Sequence, residues 1–208
     1  MKEKKIQTIS REMKHHLPFT LGASLFAGIL VAVFYYLGRV PSEELFEIAH
    51  PAHVAVSAVA TSALYWKYKK SIWESVLIGI VGAISIGSLS DVVFPFLAGN
   101  LLSLDTTFHL PIIEEPLLIL GVALFGAVLG MYSDLFRVSH VLHVFLSIFA
   151  SLFYILAFSI ELNSLGILLI SGLVFLTVYV PCCISDIVFP ILFLNKPCES
   201  CGHWHDGK

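Results

Sequence analysis

The stretch "SLSDVVFPFLAGN" (residues 88–100) recurs near the end of the chain as "CCISDIVFPILFLN" (residues 182–195). Each copy places a Ser-Asp pair in an apolar run, with a proline four residues after the aspartate. A charged group in apolar surroundings is costly unless it is paired, and proline removes a backbone hydrogen bond from a helix. Because both costly features occur twice, we interpret the two stretches as copies of one functional element.

Other polar residues recur in the same order, which extends the repeat well beyond the opening stretches. The segment "FEIAHPAHVAVSAVAT" (46–61) aligns with "FRVSHVLHVFLSIFAS" (136–151). Apolar residues align with almost anything in such chains, so the polar matches are the informative ones. The alignment pairs His50 with His140, His53 with His143, Ser57 with Ser147, Gly87 with Cys182, and Asp91 with Asp186.

The composition is that of a membrane protein. The chain is 57% hydrophobic and only 13% charged, whereas about a quarter of the residues of a soluble domain are charged. Six apolar runs approach or exceed the roughly 20 residues needed to cross a bilayer. We predict an all-α polytopic membrane protein with spans near Leu17–Leu37, Leu45–Tyr65, Ile72–Leu97, Pro111–Met131, Val138–Ile160 and Gly166–Leu194.

Orientation follows from the Lys and Arg residues, because the cytoplasmic loops of membrane proteins carry an excess of them. With six spans, all twelve Lys and Arg residues except Arg39 lie on one side. The basic N-terminal tail (1–15) and the C-terminal tail (196–208) are both on that side. We therefore predict a multi-pass protein of the cell (inner or plasma) membrane, with cytoplasmic N- and C-termini. The sequence has no basic stripe, so we predict no nucleic-acid partner.

The repeat also predicts the architecture. Each predicted unit, 16–100 and 109–195, contains three spans, and an odd number requires the second unit to cross the membrane upside down. The extracytoplasmic linker is 101–108. Inverted repeats are the plan of many transporters, whose sites lie near the midplane between the two halves.

The intramembrane histidines and aspartates are the candidate site. His50 and His53 share a helix face because they are three residues apart. At about 1.5 Å of rise per residue, these two and Asp91 lie in the outer half of their spans. The residues that the repeat pairs with them, His140, His143 and Asp186, lie in the inner half of their spans. We therefore expect two separate sets at mirrored levels of the membrane.

Each proline affects the backbone carbonyl of the aspartate four residues before it. In an α-helix, Pro95 cannot donate to the carbonyl of Asp91, and Pro190 cannot donate to that of Asp186. Each aspartate then offers a carboxylate and an unpaired carbonyl, and each proline provides a hinge. The alternative is an ordinary proline kink beside a neutral aspartic acid, since prolines are common in membrane helices.

Two imidazoles and one carboxylate form a ligand set for divalent transition metals. The set suits Zn²⁺, Fe²⁺, Mn²⁺, Co²⁺ and Ni²⁺, of which we predict Zn²⁺ first, with Fe²⁺ or Mn²⁺ as alternatives. Mg²⁺ and Ca²⁺ prefer oxygen ligands. Secondary ligand candidates are Glu114, Glu115, His109, His16, Cys182 and Cys183. The cytoplasmic tail holds a separate C-x2-C-x-H-x-H pattern, which has enough ligands for a tetrahedral zinc site: Cys198, Cys201, His203 and His205.

These features predict a transporter of a divalent transition-metal cation rather than an enzyme. Coupling to protons is a hypothesis, because His and Asp exchange protons for metal. The main alternative is an intramembrane zinc hydrolase acting on a lipid amide or ester. A haem-binding electron carrier and a transporter of a non-metal solute are further alternatives.

Gly126 and Gly130 form a G-x-x-x-G pair, which fits close packing within the chain or between the protomers of a homodimer.

Overall fold

The structure is a computed structural model that describes residues 14, 17–18, 20–30, 32–33, 36–37, 43–132, 136–158, 164–183 and 188–193. Regular structure in these ranges is entirely helical, which confirms the predicted all-α class. The helices are α1 Thr20–Leu30, α2 Glu43–Tyr68, α3 Ile72–Ser88, α4 Phe94–Leu101, α5 Pro111–Glu114, α6 Pro116–Tyr132, α7 Phe136–Phe158, α8 Ser164–Cys183 and α9 Phe189–Leu192.

One helix among the described residues is long and apolar enough to cross a membrane. It runs without interruption from Ile72 to Leu101, over 30 residues, and joins α3 and α4 through a π turn. Its length, about 45 Å at the usual rise per residue, exceeds the apolar thickness of a bilayer. Shorter apolar helices cover Thr20–Leu30, Pro116–Tyr132 and Leu142–Phe158. The other predicted spans stay predictions.

Helix α2 lies at the centre of the bundle and packs against α3, α6 and α7. Its contact with α6 depends on the G-x-x-x-G pair. A Cβ atom on Gly126 would overlap the carbonyl of Ala55, and one on Gly130 would overlap the carbonyl of Val59. These glycines therefore bring α6 directly against the backbone of α2, and the close packing that they permit is made within the chain.

The helix ends meet in two groups, one at each end of the bundle. At one end the N–H of Thr107 donates to the carbonyl of Phe158 at 3.0 Å, which ties the α4–α5 connection to the end of α7. At the other end Tyr65 packs with Phe189, and its hydroxyl donates to Glu74 at 2.5 Å. The C-terminal end of α2 is thereby anchored to α3 and α9.

The predicted span that begins at Pro111 is broken near its start. Helix α5 ends at Glu114, Glu115 has an extended φ of −128°, and α6 begins at Pro116. A residue that precedes proline is disfavoured in the α conformation, and Glu115 is in that position. Glu115 therefore lies in the break between the two helices, and only Glu114 lies in a helix.

Candidate metal centre

The helix that carries Asp91 departs from α geometry next to the predicted proline hinge. A π turn covers Leu89–Val93, so backbone bonds there span five residues instead of four. The carbonyl that faces the missing N–H of Pro95 therefore belongs to Ser90, one residue earlier than we predicted. That carbonyl accepts a hydrogen bond from the Ser151 hydroxyl at 3.0 Å. The π turn and the proline together create a backbone acceptor that a neighbouring helix satisfies.

Asp91 and the first histidine pair meet as the sequence predicts. Both rings direct Nδ1 at the same carboxylate oxygen, Oδ2, at 2.9 Å for His50 and 2.5 Å for His53. All three side chains are fully buried. The spacing of three residues in α2 places the two rings on one face, and the π turn presents Asp91 to that face.

The second carboxylate oxygen of Asp91 faces serine hydroxyls. Its Oδ1 lies 2.8 Å from Ser147 Oγ, which donates from α7, and 2.8 Å from Ser90 Oγ. A carboxylate has about four acceptor positions. The two imidazoles and Ser147 occupy three of them, and the single proton of the Ser90 hydroxyl is shared between the fourth and the Gly87 carbonyl at 3.0 Å. The buried charge is therefore well solvated by the protein, and Asp91 acts as an acceptor that positions the imidazole rings.

The tautomer of the two histidines follows from this geometry. An ionised carboxylate only accepts hydrogen bonds, so Nδ1 of each neutral ring carries the proton and Nε2 carries a lone pair. Within the described part of the chain, Nε2 of His50 and Nε2 of His53 are buried and have no hydrogen-bond partner. Metal-ligating histidines usually donate their other ring N–H to a carboxylate or carbonyl. His50, His53 and Asp91 together could hold a metal ion, and in the arrangement that the structure shows Asp91 orients the two rings.

His143 lies next to this cluster, and not in a separate set at another level. Its ring meets that of His53 edge to face, with centroids 4.5 Å apart. Cys182 completes a second group with these two residues: each offers one ligand atom, and the atoms lie within 4.8 Å of one another. The expectation of two sets at opposite levels is therefore wrong for His143, because α2 and α7 cross where the two residues are closest.

The contact between these rings also bears on the haem alternative. A haem with two axial histidines requires those histidines on two helices at one level, and His53 and His143 meet that requirement. However, ring centroids 4.5 Å apart leave no room for a macrocycle between the two imidazoles. The geometry therefore argues against a haem held by this pair.

His109 and Glu114 form a different group, nearer the surface. His109 Nδ1 lies 2.7 Å from the Glu114 carboxylate. His109 also groups with two exposed carboxylates at the start of α2, those of Glu43 and Glu47. Phe46 is fully buried between this group and the centre, because its ring contacts both His109 and His50. The two secondary candidates thus belong to a group at the N-terminal end of α2, and Phe46 lies between that group and the buried histidines.

Several predicted site residues lie outside the described parts of the chain. These are Asp186, His16 and the four tail residues, Cys198, Cys201, His203 and His205. His140 and Cys183 lie in α7 and α8, and Pro190 lies in α9, but their side chains are not described. The second His/His/Asp set and the tail site therefore stay predictions.

Sequence reasoning missed four contributors to this region. Glu43 precedes the predicted span Leu45–Tyr65 and Glu47 lies inside it, and neither was considered as a ligand, although their spacing of four places them on one helix face. Phe46 was treated as an ordinary apolar residue, and its position four residues before His50 was the available signal. The hydrogen-bonding role of Ser147 had no signal of its own beyond its place on the face of the second histidine pair.

Comparison of the chain with known protein families, with curated proteins and with solved structures gives no match. The function therefore has to be argued from the buried cluster itself. Its defining atoms are Nε2 of His50 and Nε2 of His53.

Proposed function

We propose that the protein is an integral membrane transporter of a divalent transition-metal cation, Zn²⁺ foremost, with Fe²⁺ and Mn²⁺ as alternatives. The observation that carries the proposal is the state of the two histidines in α2. Both Nδ1 atoms are held by Asp91, and both buried Nε2 atoms lack a hydrogen-bond partner among the described residues. Leaving buried polar atoms unpaired is costly, and a bound ion would remove that cost.

The distribution of polar and apolar side chains supports a membrane location. Large apolar residues face outward, such as Leu117 at 87% exposed and Ile48 at 67%, whereas His50, His53 and Asp91 are 0% exposed. Soluble monomers rarely expose large contiguous apolar surfaces, and intramembrane ionisable residues face the bundle interior. This pattern supports a membrane location, and the six spans, the cell membrane and the cytoplasmic termini remain part of the proposal.

The contact between His53 and His143 supports the inverted repeat. The sequence pairs these two residues as repeat mates, and a residue that touches its own mate lies near the axis that relates the two halves. Ser147 of the second predicted unit also bonds to Asp91 of the first. Interlocking of this kind is expected where two units share one site near the midplane.

Movement of the ion requires a route and a means of release. The mouth formed by Glu43, Glu47 and His109 would attract a cation, and Phe46 separates that mouth from the buried histidines. We propose that hinge motion at Pro95, and at Pro190 in the second unit, opens the centre to each side in turn. Protonation of the ligands would release the ion, which makes proton coupling part of the proposal.

Zinc flux into proteoliposomes tests the proposal. Wild-type protein should accumulate Zn²⁺, and both His50→Ala and Asp91→Asn should abolish most of the flux. The matched control is Ser75→Ala, because Ser75 is fully buried in α3 and its hydroxyl has no partner among the described residues. Control flux equal to wild type shows that a buried substitution alone is not harmful. Unchanged flux in Asp91→Asn would overturn the proposal.

The lipid hydrolase is the competing proposal, and the same preparation tests it. A hydrolase needs an open metal position that water can reach, whereas the histidines and Asp91 are fully buried. Turnover of a lipid amide or ester by zinc-loaded protein, lost on chelation and in His50→Ala, would favour the hydrolase. Zinc flux without lipid turnover favours the transporter.

A further inference from the structure

The group formed by His53, His143 and Cys182 carries an inference about the transported ion. We propose that these three side chains bind the ion at the centre of the bundle, and that the cargo is therefore a thiophilic cation of the Zn²⁺, Co²⁺ and Cd²⁺ type. This inference rests on the proposed transport function and deepens it. It replaces a ligand set of two imidazoles and one carboxylate with a set of two imidazoles and one thiolate.

The geometry favours these three as the inner ligands. Their ligand atoms lie within 4.8 Å of one another, and none of the three residues is more than 2% exposed. His53 belongs to both groups, but its Nδ1 is committed to Asp91 at 2.5 Å. The atom that it retains for a metal is Nε2, which is buried without a hydrogen-bond partner among the described residues.

The position of the group places it between the two halves of the chain. His53 comes from α2, His143 from α7 and Cys182 from α8, so an ion there would be held by both predicted units. In a transporter built from two units, a site shared between them is the position that both access states would reach. The outer pair, His50 and His53, would then deliver the ion to this group by way of His53.

The two repeat units differ at the position of Cys182, because only the second unit has a thiol there. The repeat mate of Cys182 is Gly87, which lies against the same ring: a Cβ atom built on Gly87 would be 3.7 Å from His53 Cε1. A thiol at position 87 would therefore have reached His53 from within the first unit, as Cys182 does from the second. Position 87 carries no thiol, so among the described side chains the set offers two nitrogens and one sulfur.

Such a set selects among divalent ions. Thiolate and imidazole together suit Zn²⁺ and related ions, whereas Mn²⁺ and Mg²⁺ prefer carboxylate, carbonyl and water oxygens. Binding replaces the S–H bond of Cys182 with a sulfur–metal bond and releases that proton, because thiolate is the form that ligates metals. Cys182 carries a thiol and not a disulfide, as this exchange requires.

Cobalt spectroscopy of purified full-length protein tests the inference. The parent for the experiment is the full chain with Cys198→Ser and Cys201→Ser, so that tail thiols contribute nothing. Co²⁺ is added to this parent, to its Cys182→Ser and Cys182→Ala derivatives, and to Gly87→Ala as a matched control. A Cβ on Gly87 meets only ordinary van der Waals contacts. Thermal unfolding in detergent reports whether each variant is folded.

The inference predicts a thiolate-to-cobalt charge-transfer band in the parent and in Gly87→Ala, and its loss in both Cys182 variants. Affinity for Zn²⁺ and Cd²⁺ should fall by at least about tenfold in Cys182→Ser, the low end of the effect of losing even an outer-shell partner, with Mn²⁺ binding changed far less. Bound Co²⁺ with no thiolate band in the parent, or a band that persists in Cys182→Ser, would overturn the inference and leave transport intact. Absence of both Co²⁺ binding and Zn²⁺ flux in the parent would overturn both.

Discussion

His53 in α2 and His143 in α7 lie ring against ring, with centroids 4.5 Å apart. These two residues occupy equivalent positions in the repeated sequence. Their contact brings together polar residues that are 90 positions apart in the chain, in the fully buried middle of an otherwise apolar bundle. Any account of the protein must explain why an apolar bundle concentrates imidazole, carboxylate, hydroxyl and thiol groups at one place.

The hydroxyl of Ser147 should stabilise the centre through Asp91. Ser147→Ala removes a donor that lies 2.8 Å from Oδ1, and a hydrogen bond to a charged group contributes about 1.5–3 kcal/mol. We expect the variant to unfold at lower temperature in detergent and to bind Zn²⁺ more weakly. In Ser75→Ala the same change is made at a buried hydroxyl with no partner among the described residues, and stability should be unchanged. An equal loss of thermal stability in both variants would show that the hydrogen bond from Ser147 to Asp91 does not account for the effect.

The contact between α6 and α2 should tolerate no side chain at Gly126. Its Cβ would overlap the Ala55 carbonyl, whereas a Cβ on Gly121 in the same helix meets nothing within 4 Å. We expect Gly126→Ala to lower the free energy of unfolding by about 1–3 kcal/mol, the usual cost of overpacking. Gly121→Ala should be neutral. Thermal unfolding of the two variants in one detergent provides the measurement, and equal stability would contradict this packing.

Phe46 should control access to the buried histidines. Its ring stacks on that of His50, with centroids 5.6 Å apart, and also contacts His109. Phe46→Leu keeps an apolar residue but removes the ring, so we expect faster binding and faster release of Co²⁺ with little change in affinity. Stopped-flow absorbance measures both rates. Unchanged rates would show that the ion reaches the centre by another route.

The six-span topology predicts opposite labelling of two loops. Ser103 is exposed in the connection after α4 and should face outside, whereas Lys69, 51% exposed in the turn between α2 and α3, should face the cytoplasm. In intact cells a membrane-impermeant maleimide should label Ser103→Cys and should label Lys69→Cys only after permeabilisation. The unsubstituted chain is the background control. The reverse pattern would invert the topology, and labelling of both in intact cells would contradict a spanning α3.

The all-helical class, the long helix that begins at Ile72 and part of the centre were predictable because they depend on local rules. The start of α3 at Ile72 follows from the change from lysines to an apolar run. The meeting of His50, His53 and Asp91 follows from helical spacing and from depth. Those rules act over one or two turns, where a rise of about 1.5 Å per residue is a reliable guide.

The rest required three-dimensional packing. Depth estimates are uncertain by about one turn, 5.4 Å, which is more than enough to separate or to join His53 and His143. The π turn at Leu89–Val93 shifts the carbonyl register by one residue, and no pattern in the sequence marks it. The orienting role of Asp91 was also hidden, because residue types alone do not distinguish a ligand carboxylate from one that holds the ligands.

The zinc content of purified full-length protein tests the central claim most directly. The parent carries Cys198→Ser and Cys201→Ser, and it is compared with the same protein carrying His50→Ala and His53→Ala, after equilibration with Zn²⁺ and removal of unbound metal. The account predicts that the folded parent retains zinc and that the folded double-histidine variant loses it. Equal zinc in the two proteins, or none in the parent, would contradict the claim that the buried histidines bind a transition-metal ion.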